Sequence, residues 1–167
     1  MIDANYLRER LDYDPHTGIL TWKFYNYAVG NNERWAGREA GRLHEDGYRE
    51  IGLDYKLYPA HRLAWVIHYG EIDDRLMVDH INCRRSDNRI SNLRLATNSQ
   101  NLHNGKLKKN NTSGYKNVSQ RKDGRWSVEI HVNKRRYRFH SFATAEEANE
   151  VAARERTRLH GEFARAA

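Results

Sequence analysis

Asp79-His80-Ile81-Asn82, then Asp87-Asn88-Arg89-Ile90-Ser91-Asn92-Leu93, then Asn101, set a carboxylate, an imidazole and spaced amides within 23 residues. Met77 to Ile81 reads as a strand, residues 82 to 90 as a polar loop, and Asn92 to Ala96 as a returning strand. Thr97-Asn98-Ser99-Gln100 has the spacing of a capping box, which opens a helix with Asn101 just inside it. Strand, loop, strand and helix in that order predict a small α+β unit. Its chemistry suits phosphodiester hydrolysis, which asks for a hard cation at the phosphate and a neutral base beside the attacking water. Neighbours on an ideal strand point to opposite faces, so the strand must twist or end where Asp79 and His80 are to serve one phosphate.

Upstream of this window, residues 4 to 12 predict a short helix with Tyr6, Leu7 and Leu11 on one side. Asp14-Pro15-His16-Thr17-Gly18 breaks it with turn chemistry, and Ile19 to Trp22 follows as a strand. Residues 25 to 42 are polar and glycine-bearing, and read as loop. After Asp46-Gly47, two short strands span Tyr48 to Leu53 and Lys56 to Tyr58, until Pro59 ends the hairpin. Ala60 to Tyr69 suits a buried helix stopped by Gly70, which makes His61 and His68 packing histidines by this reading. His103 falls nearer the window but outside its primary set.

Downstream, Gly105 to Gly114 is rich in Lys and Asn without periodicity and reads as a linker. Residues 115 to 121, 125 to 132 and 135 to 142 alternate as short strands. Trp126, Val128 and Ile130 take one face, and Arg125, Ser127, Glu129 and His131 the other. Tyr137 and Phe139 likewise oppose Arg136 and Arg138. One face is apolar and the other mostly basic. A second capping box, Thr144-Ala145-Glu146-Glu147, opens a helix to about His160 whose Ala148, Val151, Ala152 and Leu159 can cover the apolar face.

With 167 residues, 38% apolar content and a mean hydropathy of −0.99, the chain can bury one modest core or two small ones. No run approaches the roughly 20 apolar residues of a membrane span, and the first residues do not read as a signal peptide. Cys83 alone can form neither an internal disulfide nor a cysteine zinc site, so any metal is to be held by oxygen and nitrogen. Residues 1 to 104 hold 14 basic and 15 acidic side chains, whereas residues 105 to 167 hold 15 and 7, a net +8 in the last 63 residues. Such asymmetry points to a polyanion, with nucleic acid first among them.

The Asp-His and Asn-Leu motifs, the loop between them and the helix after them resemble the HNH endonucleases, especially the phage-type homing enzymes with asparagine as the final ligand. Residues Leu11 to Lys23 and His61-Arg62-Leu63-Ala64-Trp65 look like the upstream part of such proteins, extending the likeness to about residues 6 to 104. By that resemblance residues 1–104 form a nuclease domain with a ββα-metal core at about 76–104. His80 is then the general base, Asn92 braces the loop, and Asp79 and Asn101 hold one Mg²⁺ or Mn²⁺. Arg84, Arg85, Arg89 and Arg94 lie in or beside the loop, where they are expected at flanking phosphates. Cys83 departs from the pattern, since related loops commonly have glycine near that position.

Residues 115–167, from Tyr115-Lys116-Asn117-Val118 through the three strands and the helix, resemble an AP2/ERF DNA-binding domain, joined to the first by the basic linker 105–114. The resemblance implies that Lys116, Arg121, Arg125, His131, Arg136 and Arg138 face DNA from the three-stranded antiparallel sheet. Ser119 and Asp123 replace an Arg and a Trp that touch DNA in plant members, so their target does not transfer. The function implied is a metal-dependent, site-directed homing endonuclease on double-stranded DNA. It is expected in the cytoplasm of a bacterial or phage-infected cell, with no membrane or small-molecule partner and with its oligomeric state left open. The alternative is a DNA-binding regulator with an inactive nuclease domain. An RNA-directed module is disfavoured by the few aromatics on the basic face.

Overall fold

The computed structural model describes residues 2–24, 26–27, 30–31, 33–98, 100–101, 107, 110–132 and 135–164, the side chains of 26–27, 30–31 and 162 excepted. It is a mixed α+β chain of small antiparallel sheets, and it divides into two compact units, Met1–Ala96 and Thr97–Ala167.

In the first unit, α1 (Ala4–Arg10) is capped by Asp3, whose side chain accepts from Tyr6 N at 2.8 Å. The helix ends two residues before the sequence suggests. Leu11 takes extended angles and opens β1 (Leu11–Tyr13), which pairs with β2 (Leu20–Trp22) in the register Leu11↔Trp22 and Tyr13↔Leu20. Extension puts Leu11 and Leu20 into the core at 1% exposure each, a gain that outweighs one more helical turn. Between the strands, Asp14 accepts from His16 N and from Thr17 Oγ1, both at 2.8 Å, and closes the turn.

Residues 25–42, read as loop, contain short strands. β3 (Asn26–Tyr27) pairs with β4 (Gly30–Asn31), and β5 (Arg42–Leu43) joins the sheet β5-β6-β7 with β6 (Arg49–Leu53) and β7 (Lys56–Pro59). β3, β4 and β5 have two residues each, too few for an alternation to register in sequence. α2 (Ala60–Tyr69) runs from Pro59 to Gly70, whose φ of 101° ends it. The helix buries Ala60, His61, Leu63, Ala64 and Val66 on the side of the core that holds Leu7, Leu11, Leu20 and Ile51. His68, expected in the core, is exposed and stands edge-on to Tyr69 at 4.6 Å, because it falls on the outer side of the helix.

The ribbon that carries the motif is β8 (Met77–His80) paired with β9 (Leu93–Ala96), in the register Asp79↔Arg94 and His80↔Leu93. β8 ends on His80, and a 3₁₀ turn at Ile90–Asn92 leads into β9. The β1–β2 turn sits directly on the intervening loop. A Cβ on Gly18, at φ 78°, would lie 2.4 Å from Arg89 N and 2.5 Å from the Asn88 carbonyl carbon.

In the second unit, residues 98, 100 and 101 are helical, and the expected capping box is present. Gln100 N donates to Thr97 Oγ1 at 3.3 Å and Thr97 N to Gln100 Oε1 at 2.8 Å. Residues 105, 106, 108 and 109 of the expected linker, and His103, lie outside the described residues. β10 (Val118–Gln120), β11 (Trp126–Val132) and β12 (Arg135–Phe142) form an antiparallel sheet in that order, with α3 (Ala145–His160) over its apolar face. Val128, Ile130, Ala148 and Ala152 are fully buried. Thr144 accepts from Glu147 N as expected, whereas Glu147 reaches back to Ala143 N instead of to Thr144. Beside this core, the buried Arg156 donates to the Lys116 carbonyl at 2.7 Å.

Gly18→Ala combines a left-handed φ with a backbone collision, and should lower the unfolding free energy by more than about 1 kcal/mol. Urea denaturation of the variant beside the wild type measures it.

Candidate active site

His80 is 4% exposed at the end of β8, and its Nε2 lies 3.0 Å from Asn88 Oδ1. The amide oxygen accepts, so Nε2 carries the proton and Nδ1 the lone pair. Around the ring stand His61 of α2, with ring centroids 5.0 Å apart, and Tyr48, at 6.0 Å. Tyr48 also packs on His61 at 5.2 Å. Burial lowers the His80 pKa and the Arg85 charge adds to the effect, against the Asn88 hydrogen bond and the charges of Asp79 and Asp87. His61 falls further, to about 3, through burial first and then the charges of His80 and Arg62. Both imidazoles are therefore neutral at pH 7.

Asp79 is 8% exposed, and its Oδ2 receives Arg94 Nε at 3.1 Å and Nη2 at 3.0 Å. Arg94 was expected at a flanking phosphate. At 9% exposure it is instead the cross-strand partner of Asp79, because the ladder puts the two residues opposite one another. Among the described residues no group of three or more His, Cys, Asp or Glu could hold a metal ion. The donors at hand are those of a sparse oxygen site. A carboxylate has lone pairs for a cation besides those taken by a guanidinium, and magnesium commonly needs only one or two protein carboxylates with phosphate and water. The Asp79 carboxylate is a donor that fits such an ion. Asn101 is helical, half-buried and part of the second unit.

The loop is built on asparagines and aspartates. Asn92 accepts from Asn82 N at 3.0 Å and donates to the Asp87 carbonyl at 2.8 Å, so one amide staples both ends of residues 82–87. Asp87, its pKa held down to about 2 chiefly by Arg89, also accepts from Asn82 Nδ2 at 2.7 Å. Cys83, the departure from the motif's pattern, has φ at 59°, the left-handed region that glycine enters without strain. Of the loop arginines, Arg84 is exposed and Arg89 is paired with Asp87. Arg85 lies over the Tyr48 ring at 4.7 Å while donating to the Asp46 carbonyl at 2.9 Å.

Residues 58–103 match the family model described as HNH endonuclease. Protein 3.8 of Escherichia phage T7 is 34% identical over 115 residues, which span 66% of this chain and 92% of that protein. The chain belongs to the HNH endonuclease family. A solved structure described as "DNA binding and cleavage by the HNH homing endonuclease I-HmuI" aligns at 22% identity and a TM-score of 0.46, over 84% of this chain and 77% of that one. That overall likeness is loose. Sequence reasoning gave Tyr48 and Asn88 no part in the site and took His61 only as a packing residue of α2. Their signal was proximity to His80, which spacing alone does not carry.

In the second unit, Lys116 is half-buried just before β10, Arg121 and Arg125 are exposed in the turn between β10 and β11, and His131 of β11 with Arg136 and Arg138 of β12 are exposed on the sheet. Glu129 stands among three of them: His131 Nε2 at 2.7 Å, Arg138 Nε at 2.8 Å and Arg136 Nε at 3.6 Å. The His131 and Arg138 hydrogen bonds hold its carboxyl pKa down to about 2. Arg121 is paired more loosely with Asp123, at 3.4 Å.

Removing one member of a buried ion pair strands the other, so Arg94→Leu should cost about 3–5 kcal/mol. Adding Asp79→Leu should recover most of that loss. Denaturant unfolding followed through the β8 and β9 amides checks both values.

Proposed function

We propose that this protein is a metal-dependent, site-directed DNA endonuclease of homing type, with His80 as its general base. The observation that carries the reading is His80 itself, its charge disfavoured by burial and its Nε2 tied to Asn88, which leaves Nδ1 as the ring's proton acceptor. Its neighbour Asp79, with Asn101, would hold Mg²⁺ or Mn²⁺. Bound there, the ion supplies positive charge to the scissile phosphate and to the departing 3′ oxygen. His80 takes the proton of the attacking water. Asn92 keeps the loop shaped for that approach through its bonds to Asn82 and Asp87. Arg85, held by Tyr48 and Asp46, would bind a neighbouring phosphate, with Arg84 and Arg89.

Residues 115–167, within the second unit, are the targeting module, and their sheet with one covering helix supports the AP2-like assignment. Lys116, Arg121, Arg125, His131, Arg136 and Arg138 would face double-stranded DNA. Tethering a recognition module to a small cutting site raises the local concentration of cleavable phosphate without demanding specificity of the site itself.

Cleavage of supercoiled plasmid and phage DNA tests the reading. Nicked or linear product should appear with Mg²⁺ and vanish with EDTA, and His80→Ala should lower the rate by about 100-fold or more while leaving DNA affinity intact. Tight binding without cleavage on varied DNA would instead identify a regulator. For the module, Arg136→Ala with Arg138→Ala should weaken binding and flatten the salt slope by about 1 for each phosphate that is no longer neutralised, as read from affinity between low and physiological salt.

A further inference from the structure

We infer that Asn88, gripped by the β1–β2 hairpin, is a positioning residue that selects the tautomer of His80 and fixes its ring, so that the hairpin of the N-terminal region is part of the cleavage apparatus. This rests on the reading of His80 as the base. A neutral imidazole has two tautomers, and the partner of one nitrogen decides which nitrogen is left to accept a proton. Here that partner is an amide oxygen 3.0 Å from Nε2, on a residue 3% exposed. Such a side chain acts through His80, since it is not open to substrate.

Asn88 is itself held by residues far back in the chain. Tyr13 Oη donates to the Asn88 carbonyl at 2.7 Å, and Ile90 N donates to the Pro15 carbonyl at 3.0 Å. Between these two bonds, Gly18 lets the hairpin turn approach the backbone of Asn88 and Arg89 more closely than any side chain would allow. Burial pushes the Tyr13 phenol up to about 12, so it remains a donor throughout the working range. The loop residue that orients His80 is thus fastened on both sides by one hairpin. A loop held only by its own bonds could keep Asn92's staple and still let Asn88 swing away.

The experiment uses the full chain with Mg²⁺ and plasmid DNA, together with ¹⁵N imidazole signals of His80 at neutral pH. Asn88→Leu should lower kcat by about 10- to 100-fold, a part of what a positioned base contributes. DNA affinity, measured with Mg²⁺ withheld, should stay within about 2-fold of wild type, since the buried Asn88 side chain meets no phosphate. The Nε2–H signature of His80 should give way to mixed tautomers. Asn88→Asp keeps an acceptor oxygen facing Nε2 and should retain the Nε2–H signature. Tyr13→Phe should lower kcat without changing affinity.

A folded Asn88→Leu protein with wild-type kcat and an unchanged His80 signature overturns the inference while leaving the base assignment intact. Wild-type cleavage by His80→Ala overturns both. Should Asn88→Leu fail to fold, the decision passes to the other two variants. Loss of the signature in Asn88→Asp, or an unchanged kcat in Tyr13→Phe, overturns the inference, and the opposite results support it.

Discussion

The paired carboxylate and guanidinium of Asp79 and Arg94 are the interaction on which the β8–β9 ribbon depends. Both are buried, and they face one another across the ladder. Their attraction amounts to about 4 kcal/mol at the effective dielectric of a protein, while desolvating each ion costs several kcal/mol, so the pair adds little net stability. Its effect is on geometry. A one-residue slip would turn one charge to the other face of the ribbon and leave its partner uncompensated. Register is therefore held by the penalty for being wrong, and every group placed by that register inherits it.

The first of those groups is His80, paired with Leu93 one step along. Its side chain enters a buried polar cluster in which His61, Tyr48 and Asn88 supply ring contacts and one hydrogen bond. Two imidazoles 5.0 Å apart and largely out of water cannot both be protonated at modest cost, and burial keeps both neutral. The desolvation that suppresses the charge of His80 is thus the same condition that lets it accept a proton in the proposed reaction. Asn92 and Asn88 divide the remaining work: the former joins the ends of residues 82–87, and the latter holds the ring. Neutral amides suit a site where further charge would disturb both Asp79 and His80.

In the second unit the basic face is less uniform than its net charge implies. Glu129 draws His131, Arg136 and Arg138 around one carboxylate, which limits their wandering at the surface. Exposed pairs of this kind contribute little to stability. They do pre-order long cationic side chains, and that ordering lowers the entropy cost when such side chains meet a fixed array of phosphates.

Sequence by itself determined the local elements and the chemistry of the motif. The capping boxes at Thr97 and Thr144, the alternation of Trp126 to Ile130, and the strand that starts at Met77 all depend on bonds or periods spanning a few residues, and these are written in consecutive letters. The early end of α1, the short strands within 25–42, the burial of Arg94 and the places of His61 and Asn88 were not legible that way. Most of these depend on partners distant in the chain, from the meeting of Leu11 with Leu20 in the core to the bond between Tyr13 and Asn88, 75 residues apart. Tertiary structure decided which arginine became a partner of Asp79 and which amide came to face His80. Packing in three dimensions assigns those contacts, because a buried polar group must take the partner that the fold brings to it.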